Sequence, residues 1–287
     1  MNNHIFRIFL LCFIAIFSNF GLTSRHENSP ALIKKVDVGG YKLNMKMIGD
    51  GQPAIILDSG LGEFSQAWAK VQPLVARFTM AISYDRAGLG QSEPGPVPRS
   101  ADQVAKELYR LLKNAKIPSP YVLVGHSLGG IHILSFASLY PDEVAGLVFV
   151  DVKDGTTFDA WKADLSEEQY NQLLSGFNNF YAQTTGAVKA EWESLKATIG
   201  KPQKEMGLPD VPVVVLSSIR LSEAEKNWGI TPEVVQSSLR VHQRLAEQFP
   251  QGVLIETEKS GHRIQDEEPD LVVDSIRKVV DAVRNKN

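Results

Sequence analysis

The chain has 287 residues, 43% of them hydrophobic and 22% charged, with a formal net charge of −3. That length holds one large domain or two small ones, and it buries a full core without disulfides or structural metal. No long basic or acidic run is present, which argues against a polyanion partner and excludes nucleic acid from the reading.

Residues 1–24 differ in character from the rest of the chain. Residues 1–7 are short and carry one positive charge, Arg7, and residues 8–17 are apolar apart from Cys12. Small or polar residues come next, among them Ser18, Asn19, Gly21, Thr23 and Ser24. This order of charged start, apolar run and cleavage region predicts a signal peptide over 1–24 and export of 25–287, to the periplasm or beyond. The alternative is an uncleaved segment that holds the protein at the membrane. The run is shorter than the ~20 apolar residues of a spanning helix, so no stable membrane span is expected after leader removal. Cys12 is the sole cysteine and lies inside the apolar run, which speaks against a lipidated cleavage site and leaves the remainder without a disulfide.

Two stretches of alternating polar and apolar residues, 33–38 and 41–48, predict an antiparallel start. Short apolar runs then recur at 54–57, 79–84, 121–124, 145–150, 211–216 and 253–257, the pattern of strands buried on both faces of a parallel sheet. Helical patterns over 65–77, 100–115, 128–139, 232–248 and 269–283 lie between or after them. Such alternation predicts an α/β fold with a mostly parallel, doubly wound sheet. Residues 153–210 break the rhythm with no strand pattern but many aromatics, including Phe158, Trp161, Tyr170, Phe177, Phe180, Tyr181 and Trp192. We read this stretch as a helical insertion whose aromatics are mostly packing, some of them lining a pocket above one sheet edge.

The sequence Gly125-His126-Ser127-Leu128-Gly129 joins a buried-strand pattern to a helical one. In that setting G-x-S-x-G marks a sharp strand-to-helix turn that exposes a serine oxygen at the positive end of a helix. A serine hydroxyl needs a base to take its proton. Of the six histidines, His4 and His26 lie in or just after the leader, His126 adjoins Ser127, and His132 and His242 fall in helical patterns. His262 lies in Lys259-Ser260-Gly261-His262, a loop after the last strand, and is the one placed to swing over the end of the sheet. No His/Cys/Asp/Glu cluster has metal-ligand spacing, and no glycine loop has dinucleotide or Walker spacing in context.

Four segments in order resemble the α/β-hydrolase superfamily, in its serine esterase-like branch. Ser59-Gly60-Leu61-Gly62 is similar to the oxyanion loop, and residues 85–92 to the glycine-rich turn after a central strand. Gly125 to Gly129 is similar to the nucleophile elbow and Ser260-Gly261-His262 to the histidine loop. The resemblance implies an eight-stranded, mostly parallel sheet flanked by helices, with a helical cap at 153–210 after the sixth strand. It implies backbone N–H groups of Leu61 and Leu128 as oxyanion donors, although Ser59-Gly60 stands where His-Gly is usual. It also implies that Asp85 and Arg86 are structural, holding loops beside the site.

Many members carry the acid after the seventh strand, where this chain has Ile219-Arg220-Leu221; some place it after the sixth, where this chain has Asp151. Asp151 ends a strand next to the nucleophile strand, at the sheet edge where such folds gather functional groups. Asp154, Glu223 and Glu225 are the rivals. The expected function is hydrolysis of a small-molecule carboxylic ester through an acyl-enzyme on Ser127, His262 and Asp151, with no cofactor. Amide, thioester or carbon–carbon cleavage, acyl transfer, and a slow-turnover receptor of the same fold are the alternatives. Substrate identity and oligomeric state have no signal in the sequence.

Overall fold

The computed structural model describes residues 30–201 and 207–286; the leader expected at 1–24 lies outside them. In chain order the first half contains β1 (Leu32–Asp37), β2 (Lys42–Ile48), β3 (Ile55–Asp58), α1 (Gln72–Val75), β4 (Ala81–Tyr84), α2 (Ala101–Ala115), β5 (Tyr121–His126) and α3 (Leu128–Leu139). The second half contains β6 (Val144–Val150), α4 (Gly155–Asp164), α5 (Glu167–Ala182), α6 (Gly186–Lys196), β7 (Val213–Ser218), α7 (Glu223–Asn227), α8 (Pro232–Glu247), β8 (Gly252–Thr257), α9 (Ile264–Glu267) and α10 (Pro269–Arg284). The eight strands form one sheet in the order β1-β2-β4-β3-β5-β6-β7-β8. β2 pairs antiparallel with β1 and β4, and the other pairings are parallel. Each of the eight strand expectations thus corresponds to an observed strand.

The apolar runs of β3 to β7 follow from burial on both sheet faces, with side chains alternating along each strand. The 253–257 run is a correction, because β8 is an edge strand that leaves Val253 exposed. Ile56, Leu123, Leu147 and Phe149 face a core shared with Leu108 and Leu111 of α2 and Phe136 of α3. Their neighbours Ile55, Leu57, Val122, Val124, Val148 and Val150 face a second core with Val272 and Ile276 of α10. α3 is apolar nearly all round because the sheet lies on one side of it and α2 on another. α2 instead carries a stripe of Val104, Ala105, Leu108, Leu111 and Leu112, is capped by the Ser100 hydroxyl, and ends at Lys116 in the left-handed region.

The helix expected over 65–77 is a correction. The chain there makes a 3-10 turn, Ser65–Trp68, and then the four-residue α1. Pro73 has no N–H to continue a helix from the preceding turn, so a new helix begins around it. Between β6 and β7 lie α4, α5 and α6, whose Phe158, Trp161, Leu173 and Trp192 pack with Leu128 at the head of α3 and Val234 of α8. Among the described residues no helix is long and apolar enough to cross a membrane.

Candidate active site

The turn between β5 and α3 is built on two glycines. A Cβ at Gly125 would stand 2.6 Å from the Gly129 carbonyl carbon, and one at Gly129 would stand 2.5 Å from the Asp58 carbonyl oxygen. Ser127 itself has φ +50°, a left-handed conformation that costs of order 1–3 kcal/mol for a non-glycine residue. Its N–H donates to Val150 O at 3.0 Å, which fixes the elbow to β6.

Asp151 comes directly after β6, also left-handed at φ +43°. Its Oδ1 accepts the Ser218 N–H at 3.0 Å, and its Oδ2 accepts Nδ1–H of His262 at 2.6 Å. With Nδ1 committed to a carboxylate, Nε2 of His262 is left as the acceptor, and the Ser127 hydroxyl donates to it at 3.0 Å. The structure therefore brings Ser127, His262 and Asp151 into one run of hydrogen bonds. The Ser218 hydroxyl donates to Ser260 O at 2.7 Å, so the end of β7 holds both the acid and the histidine loop.

The rival carboxylates lie elsewhere. Asp154 caps α4, accepting the Thr157 N–H at 2.8 Å. Glu223 pairs with Lys226 on the surface. Glu225 reaches the His262 backbone N–H at 3.3 Å, and its other oxygen is taken by Ser222, so it touches the loop but not the ring.

Burial opposes ionisation of Asp151, but the charge of Lys153 and the hydrogen bond and charge of His262 overcome it, holding the carboxyl far below the usual range. For His262, burial favours the neutral ring; the Asp151 hydrogen bond pulls the other way, and the charges of His126 and Lys153 side with burial. The net result is a pKa below the ordinary histidine value. A ring neutral near pH 7 is what a general base requires.

On the other side of Ser127 lies the loop after β3. Among the described residues, neither the Leu61 nor the Leu128 N–H has a hydrogen-bond acceptor in the protein, and both residues line the cavity over Ser127. The loop is held from beneath by Arg86, which donates to Ser59 O at 2.7 Å, Gly60 O at 2.6 Å and Asp58 Oδ1 at 2.7 Å. Arg86 also donates to both carboxylate oxygens of Glu191 in α6, at 2.7 and 2.9 Å, and Glu191 Oε2 accepts the Gly62 N–H at 2.9 Å. The insertion is thereby locked to the loop by a buried ion pair; removing one partner of such a pair costs about 3–5 kcal/mol.

Sequence reasoning places Arg86 correctly as a brace but gives no sign of Glu191, which is 105 positions away. It also sets aside His126. That ring is buried, with Nε2–H donating to His262 O at 3.0 Å and Nδ1 3.2 Å from Glu63 Oε2. Burial would raise the Glu63 carboxyl, but the hydrogen bond and charge of His126, with Arg263 and the Gly60 N–H, hold it at about 2. Lys153 likewise goes unnoticed. His132 and His242, read as packing or surface residues, are both buried.

The cavity over Ser127 has a volume of about 560 Å³ and is lined by Phe158, Trp161, Phe177, Phe180, Tyr181 and Trp192 of the insertion. Tyr170 packs in the core instead. Trp228 and Ile230, between α7 and α8, complete the wall and carry no signal in the sequence. Among the described residues no group of three or more His, Cys, Asp or Glu is placed to hold a metal ion.

A family profile described as alpha/beta hydrolase fold matches residues 53–196. The chain is 26% identical to the Bacillus subtilis (strain 168) protein YqjL over 78% of this chain and 82% of that one. It is 27% identical to a probable transporter, efuK, of Hormonema carpetanum, over 88% of this chain but only 43% of the relative's length. A putative lipase from Acinetobacter baumannii AYE superposes with a TM-score of 0.64 at 20% identity, covering 90% of this chain and 93% of that one. At that identity the likeness is one of fold.

Proposed function

The chain belongs to the alpha/beta hydrolase fold family, and from that footing we propose that it is a serine hydrolase cleaving a small-molecule carboxylic ester through an acyl-enzyme. The observation that carries the reading is the run of hydrogen bonds from Ser127 through His262 to Asp151 at the floor of an apolar cavity. In the proposed reaction His262 Nε2 takes the Ser127 proton as the oxygen attacks the ester carbonyl. Asp151 holds the ring tautomer and stabilises the imidazolium. The tetrahedral oxyanion accepts from the N–H groups of Leu61 and Leu128, which have no protein acceptor to compete for them. The alcohol leaves with the proton from His262, and water repeats the sequence to free the acid. This route uses no cofactor.

The aromatic wall suits an apolar acyl or alcohol group, with the ester turned toward Ser127. A panel of nitrophenyl esters of increasing chain length, run beside fluorophosphonate labelling and peptide mapping, tests the assignment. Ester turnover and an adduct on Ser127 are expected; an adduct on another residue, or none, rules the reading out. In the same panel Phe177→Ala, which opens the cavity between Trp161 and Trp192, should move the optimum to longer chains. An unchanged profile would assign the ring to packing alone.

We also propose that residues 1–24 are removed as the protein is exported. N-terminal sequencing of protein from whole cells should begin near residues 18–25. An intact Met1 in a soluble cytoplasmic fraction would refute export.

A further inference from the structure

Lys153 occupies a position that the hydrolytic reaction does not require. It comes two residues after Asp151, lines the cavity, and places Nζ 3.1 Å from Asp151 Oδ2, the same oxygen that accepts His262 Nδ1–H. That puts the ammonium within about 6 Å of the ring nitrogen, inside the range where one charge alters another's protonation. Asp151 Oδ1 is already taken by the Ser218 N–H, so the lysine shares the histidine's oxygen. The lysine side chain is 22% exposed and the carboxylate 3% exposed, which limits how far solvent screens the pair.

Resting on the function proposed above, we propose that Lys153 is a positioning residue that keeps His262 in its neutral, proton-accepting form to lower pH and so extends the enzyme's working range toward acid. A protonated His262 is favoured by Asp151 alone, and a base held protonated cannot accept from Ser127. The ammonium opposes that protonation by direct repulsion and by competing for Oδ2.

Of the other groups around the pair, His126 also opposes protonation of His262, but it acts across the two rings rather than at Asp151 Oδ2, where the Lys153 ammonium sits. His242 of α8 lies 3.9 Å from Asp151 Oδ1, but burial lowers its pKa to about 4, so it is neutral near pH 7. The His126 ring centroid is 4.7 Å from that of His262, but its nitrogens are engaged with Glu63 and the His262 carbonyl rather than with Asp151. Glu225 of α7 meets only the His262 backbone N–H. Arg263 is held by Glu63 and Asp266, and Glu267 of α9 is held by Arg220.

The test is the pH profile of kcat/KM on an uncharged ester, so that the lysine cannot act through substrate charge. Lys153→Met should move the acid limb upward by about one pH unit, the size expected for a nearby charge screened by partial exposure. Lys153→Arg, which keeps the charge, should return the limb toward its wild-type position. Thermal melts of both variants exclude misfolding as the cause. A Met variant whose acid limb coincides with wild type overturns the proposal, even if its overall rate falls. A shift that the Arg variant shares in full also overturns it, because charge would then not be the cause. Absence of both a Ser127 adduct and an acid limb in the wild type would instead sink the hydrolase reading itself.

Discussion

Ser127→Ala should abolish fluorophosphonate labelling and lower kcat on short esters by about 10⁶, the scale seen when a triad serine is removed from a serine protease. Among the described residues the Ser127 hydroxyl makes one hydrogen bond, to His262 Nε2, so truncation removes the proposed attacking oxygen and that bond alone. The backbone bond from the Ser127 N–H to Val150 O is untouched. Alanine suffers the same left-handed backbone as serine, so the elbow and the melting temperature should change little. The residual rate over water would come from the oxyanion donors and the cavity, which the substitution leaves in place. Labelling at full strength in this variant, or a kcat within tenfold of wild type, would place the nucleophile elsewhere.

The legible parts of the fold are those whose physical cause is local. Buried strands read as apolar runs because both faces are covered, and α3 is legible to its last residue because Gly125 to Gly129 announces its start. The 65–77 stretch misleads because its apolar spacing outweighs Pro73. The site divides along the same line. Ser127 and His262 are marked by the turns that carry them, whereas the residues that brace them are marked by nothing nearby. Glu191 meets Arg86 across 105 positions, Glu63 meets His126 across 63, and Trp228 joins a wall otherwise made by the insertion. Glu191 and Glu63 look like any solvated glutamate until the fold buries one and lays the other against an imidazole. Lys153 is only two residues from Asp151, but its aim toward Oδ2 depends on the turn at φ +43°, which no local pattern announces.

Asp151→Asn should lower kcat by about 10⁴, if the corresponding substitution in chymotrypsin-like proteases is a guide. The hydrogen-bond pattern explains why an isosteric amide fails here. Both carboxylate oxygens face donors: Oδ1 the Ser218 N–H, Oδ2 the His262 Nδ1–H and the Lys153 ammonium. An amide offers one acceptor and one NH₂ group, so either orientation sets donor against donor. With the NH₂ toward His262, the ring relieves the conflict by moving its proton to Nε2, where it can no longer accept from Ser127. With the NH₂ toward Ser218, the β7 N–H is left unpaired in a buried site and the imidazolium loses its counter-charge. Glu223→Gln and Asp154→Asn are the comparisons, since one side chain is on the surface and the other caps α4. Glu223→Gln should keep wild-type kcat, and Asp154→Asn, still able to cap, should lose less than tenfold. Glu225→Gln discriminates most, because Glu225 is the one rival that reaches the histidine loop. If Asp151→Asn keeps most of its activity while Glu225→Gln is dead, the acid lies after the seventh strand. The bond between Asp151 and His262 would then be structural.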